Sequence, residues 1–587
     1  MEFRSFVITT KGQALMAKLM QGTGTCNFTK IRLSSQAYSD AQLAVLTSLS
    51  NVKQTAEVSK KTVVNTNSIQ IEGAVDNTQL ATGYNINTIG IYATDPDEGE
   101  ILYAAAGAST PGFMPPYNGV TVSGGYFKFV ITVGAASQVT LTVDPAGYAT
   151  IGDIQTLEDE IQDIKGYVGL EDDEIFGVEV DFVNRKFTRL AGAVGKTPGS
   201  SFDSLSPWGG RYRCNLTDAG VEVAKYGDTG YTETGALTSA ITIDEDTYAV
   251  GTAVQVMVKQ PKFYYKVVPL KTEKISGGKG YHLRKARYYI SPTPKAGFKL
   301  HPLFKGDKDF VYLSAYEGSL YDVSADTYIL DDSQVADFTS STGDKLCSIA
   351  NAKPLSGLTQ DATRRKVGIL AENRGTGWYQ SFVEAASATQ MLFMVEFATM
   401  NMQTAIGVGA TTITDDASTN MSILTGVTAN LGNASGNAKN ANDVMAITYR
   451  GEENFFGNIW KWVDGLTMYD HVPYICDDFA FEEEKKTGNY KEVNFTASGS
   501  DGWVNAFGYD PEYDWLFIPS EVGNSASSSV PVGDYYYQNS GYRVARLGGS
   551  WYASISSRCG AFCWDLYSAA SIRSRSVGGR LAYVPAA

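Results

Sequence analysis

Histidine is scarce in this chain: 587 residues hold only His282, His301 and His471. None of the three stands in a Ser-His-Asp arrangement or at a metal-ligand spacing, so each is expected to be a structural residue. Six cysteines (Cys26, Cys214, Cys347, Cys476, Cys559, Cys563) lie far apart except for the last two, and no CxxC, CxxxH or HExxH pattern occurs. A zinc site is therefore not expected. No run of about twenty apolar residues is present, which excludes a membrane-spanning helix. The start, MEFRSFVITTKG, has neither the basic flank nor the apolar stretch of a signal peptide, so synthesis in a cytoplasm is expected. Positive charge is also short. A net charge of −15 weighs against nucleic acid as a partner, because phosphate contacts need a basic face. The expectation is a protein with no cofactor, no bound metal, no nucleic acid and no membrane insertion.

What is present is a folded, β-rich composition: 43% hydrophobic, 19% charged, 35 tyrosines and 59 glycines. The length suggests about three to five domains. In residues 1–148, Ala14, Leu15, Leu19 and Met20 opposite Lys11 and Lys18 predict a helix capped by Thr9 or Thr10, and a strand follows through Phe28 to Leu33. INTIGIYATDPDEGEILYAAAG predicts a hairpin turning at residues 95–99. The tip carboxylates Asp95, Asp97 and Glu98 read either as a calcium loop or as an acidic hairpin tip, the commoner case.

Residues 149–176 form a linker in which Ile154, Leu157, Ile161, Ile164 and Val168 are spaced three, four, three, four. That is a coiled-coil repeat with a lean towards three strands, or the apolar face of an ordinary amphipathic helix. Residues 177–403 are β-rich. They include a strand through Val254, Val256 and Val258 that stops at Pro261 and restarts at Phe263, a strand and hairpin from Asp309, and helices over 359–373 and 379–403. The stripe Met391, Phe393, Met394, Phe397 and Met400 is expected in the core. Residues 404–443 read as a Gly-, Thr- and Asn-rich loop or insertion with one short strand. In residues 444–587, Trp460 and Trp462 are expected in the densest core. The run Tyr535, Tyr536, Tyr537 sits on an expected exposed loop, where it would either contribute to binding or point half inward. Asp477, Asp478, Glu482, Glu483 and Glu484 read as a solvated acidic loop, not as an acid/base pair.

The most informative stretch is residues 550–576. It holds eight serines among Tyr, Ile, Asp, Arg and Cys, but no Lys, Glu, Gln, Met or Asn. An Asn codon with both adenines randomised yields Ser, Tyr, Ile, Asp, Cys, Ala and Arg but never Lys, Glu, Gln, Met or Trp, so this alphabet marks a diversified binding surface. Across residues 541–587 there are six Arg and one Asp, a local balance of +5 that fits either a sugar- or anion-reading patch or Arg stems packed over aromatics. Seven aromatics in the same span argue against a disordered tail.

Arg543, Arg546, Gly548, Gly549, Trp551, Gly560, Phe562, Gly578, Gly579, Arg580 and Leu581 resemble the variable proteins of diversity-generating retroelements, phage receptor-binding proteins with a C-type-lectin-like fold. The opening helix, strand and hairpin resemble the N-terminal domain of phage tail-collar fibre proteins. The expected fold class is thus mainly β with an α+β C-terminal domain, a multidomain fibre protein whose terminal domain is C-type-lectin-like and related to formylglycine-generating enzymes. Those enzymes use a cysteine pair for copper chemistry, for which Cys559 and Cys563 would be the nearest candidates; they lie inside the diversified stretch, where a catalytic pair could not persist.

What the resemblance implies is a non-enzymatic tail-fibre receptor-binding protein at the fibre tip of the virion. It would join baseplate or tail proteins through residues 1–148, assemble as a homotrimer and attach to a bacterial host surface receptor, protein or glycan. The alternatives are a tail-spike enzyme degrading surface polysaccharide and a purely structural fibre. The expected contact set is Ser550, Tyr552, Ser554, Ile555, Cys563, Asp565, Tyr567, Ser568, Ile572, Ser574 and Ser576, the last three alternating with Arg573 and Arg575 as a one-faced strand or extended loop would.

Overall fold

A computed structural model of the chain describes residues 1–21, 26–65, 68–119, 122–132, 173–524, 531–553 and 558–586. The heptad-like linker positions, and Ser554 and Ile555, lie outside the described residues. The chain divides into two compact units, Met1–Glu160 and Ile161–Ala587, and both are mainly β.

In the first unit the helix Thr10–Met20 starts at Thr9, whose hydroxyl accepts the Gly12 N–H, and it buries Leu15 and Leu19. Strand Asn27–Ser34 pairs with Tyr84–Asp95, which forms a long hairpin with Gly99–Met114. Ile31, Leu33, Ile89 and Ile91 are fully buried between the paired strands and the helix. At the hairpin tip, Asp95 and Asp97 both bind Lys18, at 2.8 and 2.7 Å, and Glu98 binds Lys11. The tip carboxylates are thus paired with lysines, which competes directly with cation binding there.

The second unit is built around the helix Val383–Phe397, buried from Val383 through Glu396. A helix surrounded on every side must satisfy its own polar groups. Accordingly, Glu384 accepts from Lys305 at 2.7 Å, Thr389 donates to Glu452 at 2.7 Å, and Glu396 takes two guanidinium hydrogen bonds of 2.7 Å from Arg450. Met391, Phe393 and Met394 lie in this core. Around the helix runs a long mixed sheet, from Lys186–Ala191 through Phe176–Asp181, Tyr281–Ser291 and Gly502–Tyr509 to Tyr535–Gln538, Trp564–Leu566, Tyr542–Leu547 and Trp460–Tyr469. A second sheet runs through Gln255–Pro261, Phe310–Ser314, Leu581–Tyr583 and Trp378–Gln380.

Several local expectations change. The hairpin expected from Asp309 is two strands in different sheets: Phe310–Ser314 pairs with Gln255–Pro261, and Ser319–Asp322 pairs with Thr327–Ile329. The long helix expected over 379–403 is shorter. Trp378–Gln380 is a strand, and Ala398 in the left-handed region ends the helix before a separate short one, Met402–Ile406. Tyr535–Gln538 is an interior strand of the long sheet, not an exposed loop.

Candidate functional site

Strand register assembles the site. Trp462 lies opposite Arg546, Arg546 opposite Asp565, and Asp565 beside Tyr537 on a parallel neighbour. Side chains distant in sequence therefore form one row across four strands. Arg546 donates to the Asp565 carboxylate and stacks its guanidinium over Trp460 and Trp462, 5.4 and 5.6 Å from the ring centroids. Asp565 in turn accepts the Tyr567 N–H at 3.0 Å.

A Gly548-Gly549 turn with φ of +98° and +81° then folds the chain back over the row. Glycine is required at 549 twice over: the left-handed backbone disfavours a side chain, and an added Cβ would sit 2.2 Å from the Cys559 sulfur. After the turn, the Trp551 N–H donates to Asn458 and its carbonyl accepts the Ile413 N–H, at 2.9 and 3.1 Å, with the indole fully buried below. The following loop is held from beneath. Asp534, fully enclosed, accepts the Phe562 N–H at 2.7 Å while Gly560 packs against its carboxylate, and Gln390 of the central helix donates to the Ala561 carbonyl at 2.6 Å. Burial pushes the Asp534 carboxyl well above the usual range, favouring its protonated form.

Between the folded-back segment and the strand row lies a half-open cavity of about 460 Å³. Trp460, Tyr537 and Tyr552 give its aromatic walls, and Ser550, Ser576 and Asp565 its polar ones; Ile413, Asp415, Ala553, Arg558 and Cys559 complete it. Asp415 comes from the stretch expected to be an insertion. Arg575 forks onto its carboxylate and also donates to the Thr419 carbonyl at 3.0 Å, which holds Asp415 below the ordinary carboxylate range.

Of the expected contact set, the cavity brings together Ser550, Tyr552, Asp565 and Ser576. Tyr552, Tyr567 and Ile572 are exposed, at 62%, 54% and 41%, and Ser574 and Ser576 are half-buried with their hydroxyls 3.2 Å apart. Ser550, Cys563, Asp565 and Ser568 are buried, and Cys563 and Ser568 do not line the cavity. No strand forms through 572–576, and Arg573 is exposed like Ile572, so the expected one-faced alternation is absent there. The tyrosine run alternates instead: Tyr536 is fully buried, while Tyr535 and Tyr537 share the other face with centroids 4.7 Å apart. Trp462 is in the core, but Trp460 is a cavity wall, which corrects the expectation that both are core residues.

Residue pattern alone did not single out Asp415, Trp460, Arg558 or Ile413. Asp415 and Trp460 reach the cavity from 160 and about 90 positions away from their partners, beyond any local spacing.

Among the described residues no cluster of three or more His, Cys, Asp or Glu side chains could hold a metal ion. The Cys559 and Cys563 thiols are buried and both pushed up by burial, Cys559 to about 12, which suppresses the thiolate that redox or metal chemistry needs. His301 is enclosed against Phe263, 4.8 Å between centroids, and burial lowers it to about 3. Within the acidic loop, Glu483 is not simply solvated: it receives the Arg364 Nε at 3.0 Å.

Residues 1–150 match the sequence model of the phage tail-collar fibre protein, N-terminal, so the chain carries a phage tail-fibre N-terminal domain. No curated protein matches the chain. Among solved structures, the chain is similar to the Major Tropism Determinant P3c variant, at 12% identity and a TM-score of 0.19, covering 61% of this chain and 84% of that one. It is also similar to the Major Tropism Determinant U1 variant, at 11% identity and a TM-score of 0.18, covering 69% and 93%.

Proposed function

We propose that this chain is a phage tail-fibre receptor-binding protein of the virion, joined to the tail through its first unit and attaching to the bacterial surface through the 550–576 region of its second. The lectin-like character of that second unit rests on the resemblance of the Gly, Trp and Arg pattern over residues 543–581. The partners are tail or baseplate proteins at one unit and a host surface receptor at the other, with assembly as a homotrimer giving avidity to weak single-site contacts. The reading requires no bond to be made or broken.

One observation carries the proposal: Tyr552, Tyr567 and Ile572 are exposed and Ser550, Asp565 and Ser576 line a cavity, while Trp551, Phe562 and Trp564 between them are fully buried, and of the described contact set only Cys563 and Ser568 turn inward away from the cavity. A platform whose interior is fixed tolerates replacement at its tip, which is the property a changeable receptor site needs. The test replaces Tyr552, Tyr567 and Ile572 together by Ala in the whole particle. Adsorption to host cells is expected to fall at least tenfold with the melting temperature of the purified protein unchanged. Unchanged adsorption, or a loss that accompanies unfolding, would overturn the reading.

A further inference from the structure

The 460 Å³ cavity is lined by a cation, Arg558, whose presence the attachment reading by itself does not explain. Its two carboxylates are already matched: Asp565 by Arg546, and Asp415 by the fork of Arg575. The remaining cation, Arg558, also lines the cavity, and among the described residues no carboxylate lies within ion-pairing distance of it. Asp501 is close enough to feel its charge but spends one oxygen on the Gln538 N–H, at 3.0 Å. The Arg558 guanidinium lies over the Tyr535 ring, 4.7 Å from its centroid, and its Nε is buried without a hydrogen-bond partner. With the Nε enclosed, it is the terminal N–H groups of this guanidinium, held on an aromatic face and without a carboxylate partner, that suit a planar anion.

Resting on the attachment reading, we propose that this cavity binds a carboxylate-bearing sugar residue, of the uronic-acid type, at an accessible position of a surface glycan, with Arg558 receiving the carboxylate. Three observations favour a sugar over an acidic peptide. Trp460, Tyr537 and Tyr552 line the cavity with three aromatic rings, the surface against which the partly positive C–H groups of a pyranose pack. Ser550 and Ser576 add two hydroxyl-bearing side chains to the lining, partners for the ring hydroxyls of the ligand. A half-open cavity of this volume suits one or two sugar units, whereas a protein partner is read across a broad, flat area of about 800 Å².

The experiment titrates the intact purified protein with methyl β-glucuronide, methyl β-glucoside and N-acetylglutamate, following ligand NMR signals. Saturable binding of the glucuronide, with the uncharged glucoside at least about tenfold weaker, is expected. Arg558→Gln should weaken the glucuronide at least about tenfold with the melting temperature kept, Arg558→Lys should recover part of it, and Val250→Ala, at an exposed position that does not line the cavity, should leave it unchanged. Equal binding of glucoside and glucuronide, or no saturable binding of the glucuronide, overturns the proposal; binding of N-acetylglutamate alone replaces the sugar with an acidic protein receptor. Loss of adsorption in the triple tip variant without any glucuronide binding sinks the sugar assignment and leaves the attachment reading standing. Glucuronide binding in particles whose adsorption ignores both Arg558→Gln and the triple variant does the reverse.

Discussion

Trp551→Ala tests whether the tip is a rigid platform. The indole is fully buried, and emptying such a site costs about 3–5 kcal/mol. The indole Nε1 has no partner in its enclosed position, so its removal also relieves an unsatisfied donor, a gain of about 1 kcal/mol at the low end of such penalties. The backbone ties of residue 551 to Asn458 and Ile413 survive in alanine. The net expectation is a loss of about 2–4 kcal/mol. For a unit spanning Ile161–Ala587, the unfolding entropy is about 0.9 kcal/mol per kelvin, so the melting temperature should fall by only about 2–4 °C. Scanning calorimetry of the full chain resolves this if the units melt separately: the transition of the second unit moves by that amount and the transition of the first does not. An unmoved second transition would refute the claim that Trp551 is a packed structural anchor, and a drop of more than about 8 °C would mean that its loss collapses the neighbouring strands as well.

Three further outcomes follow from the same geometry. Gly549→Ala should destabilise the second unit by about 1–3 kcal/mol in denaturant titration, because the added carbon meets the Cys559 sulfur in a left-handed turn; a neutral effect would contradict that packing. Asp534 has a folded-state pKa raised above its unfolded value of about 3.9, so its contribution is fully present below that value and is lost as pH rises towards the folded one. Asp534→Asn should therefore match the wild type near pH 4 and become progressively more stable than it towards neutrality; parallel melting curves across that range would show that the carboxyl is not proton-bound. Tyr536→Phe should be neutral or stabilise by up to about 1 kcal/mol, since it deletes a buried hydroxyl that has no partner, and a loss above about 1 kcal/mol would place a hydrogen bond there.

The local elements were legible where chemistry is local. Thr9 caps its helix because a threonine hydroxyl reaches the N–H three residues on, and the methionine-rich stripe is core because a helix apolar on a broad face must be covered. Gly549 and Trp551 could be read as scaffold residues only through the resemblance of the Gly, Trp and Arg pattern over residues 543–581. The cavity itself was not legible. Its wall needs Trp460, Asp415 and Tyr537 to meet residues 550–576, and those meetings depend on strand register between segments far apart in the chain. The tyrosine run shows the limit in small: three identical residues give no pattern, and only the sheet decides that Tyr536 turns inward. Cys563 likewise entered the contact set by its place in the codon-limited alphabet, but the turn in which its N–H donates to the Gly560 carbonyl carries it inside.

Strand Leu581–Tyr583 sits between Phe310–Ser314 and Trp378–Gln380, hydrogen-bonded to both. During synthesis those two flanking strands emerge about 270 and about 200 residues before the one that joins them, so the sheet stays open until the chain beyond residues 550–576 has left the ribosome. A nonsense codon or frameshift arising among positions 550–576 removes this closing strand. Only chains translated through to residue 583 can complete this sheet, which makes its closure a built-in check on reading frame.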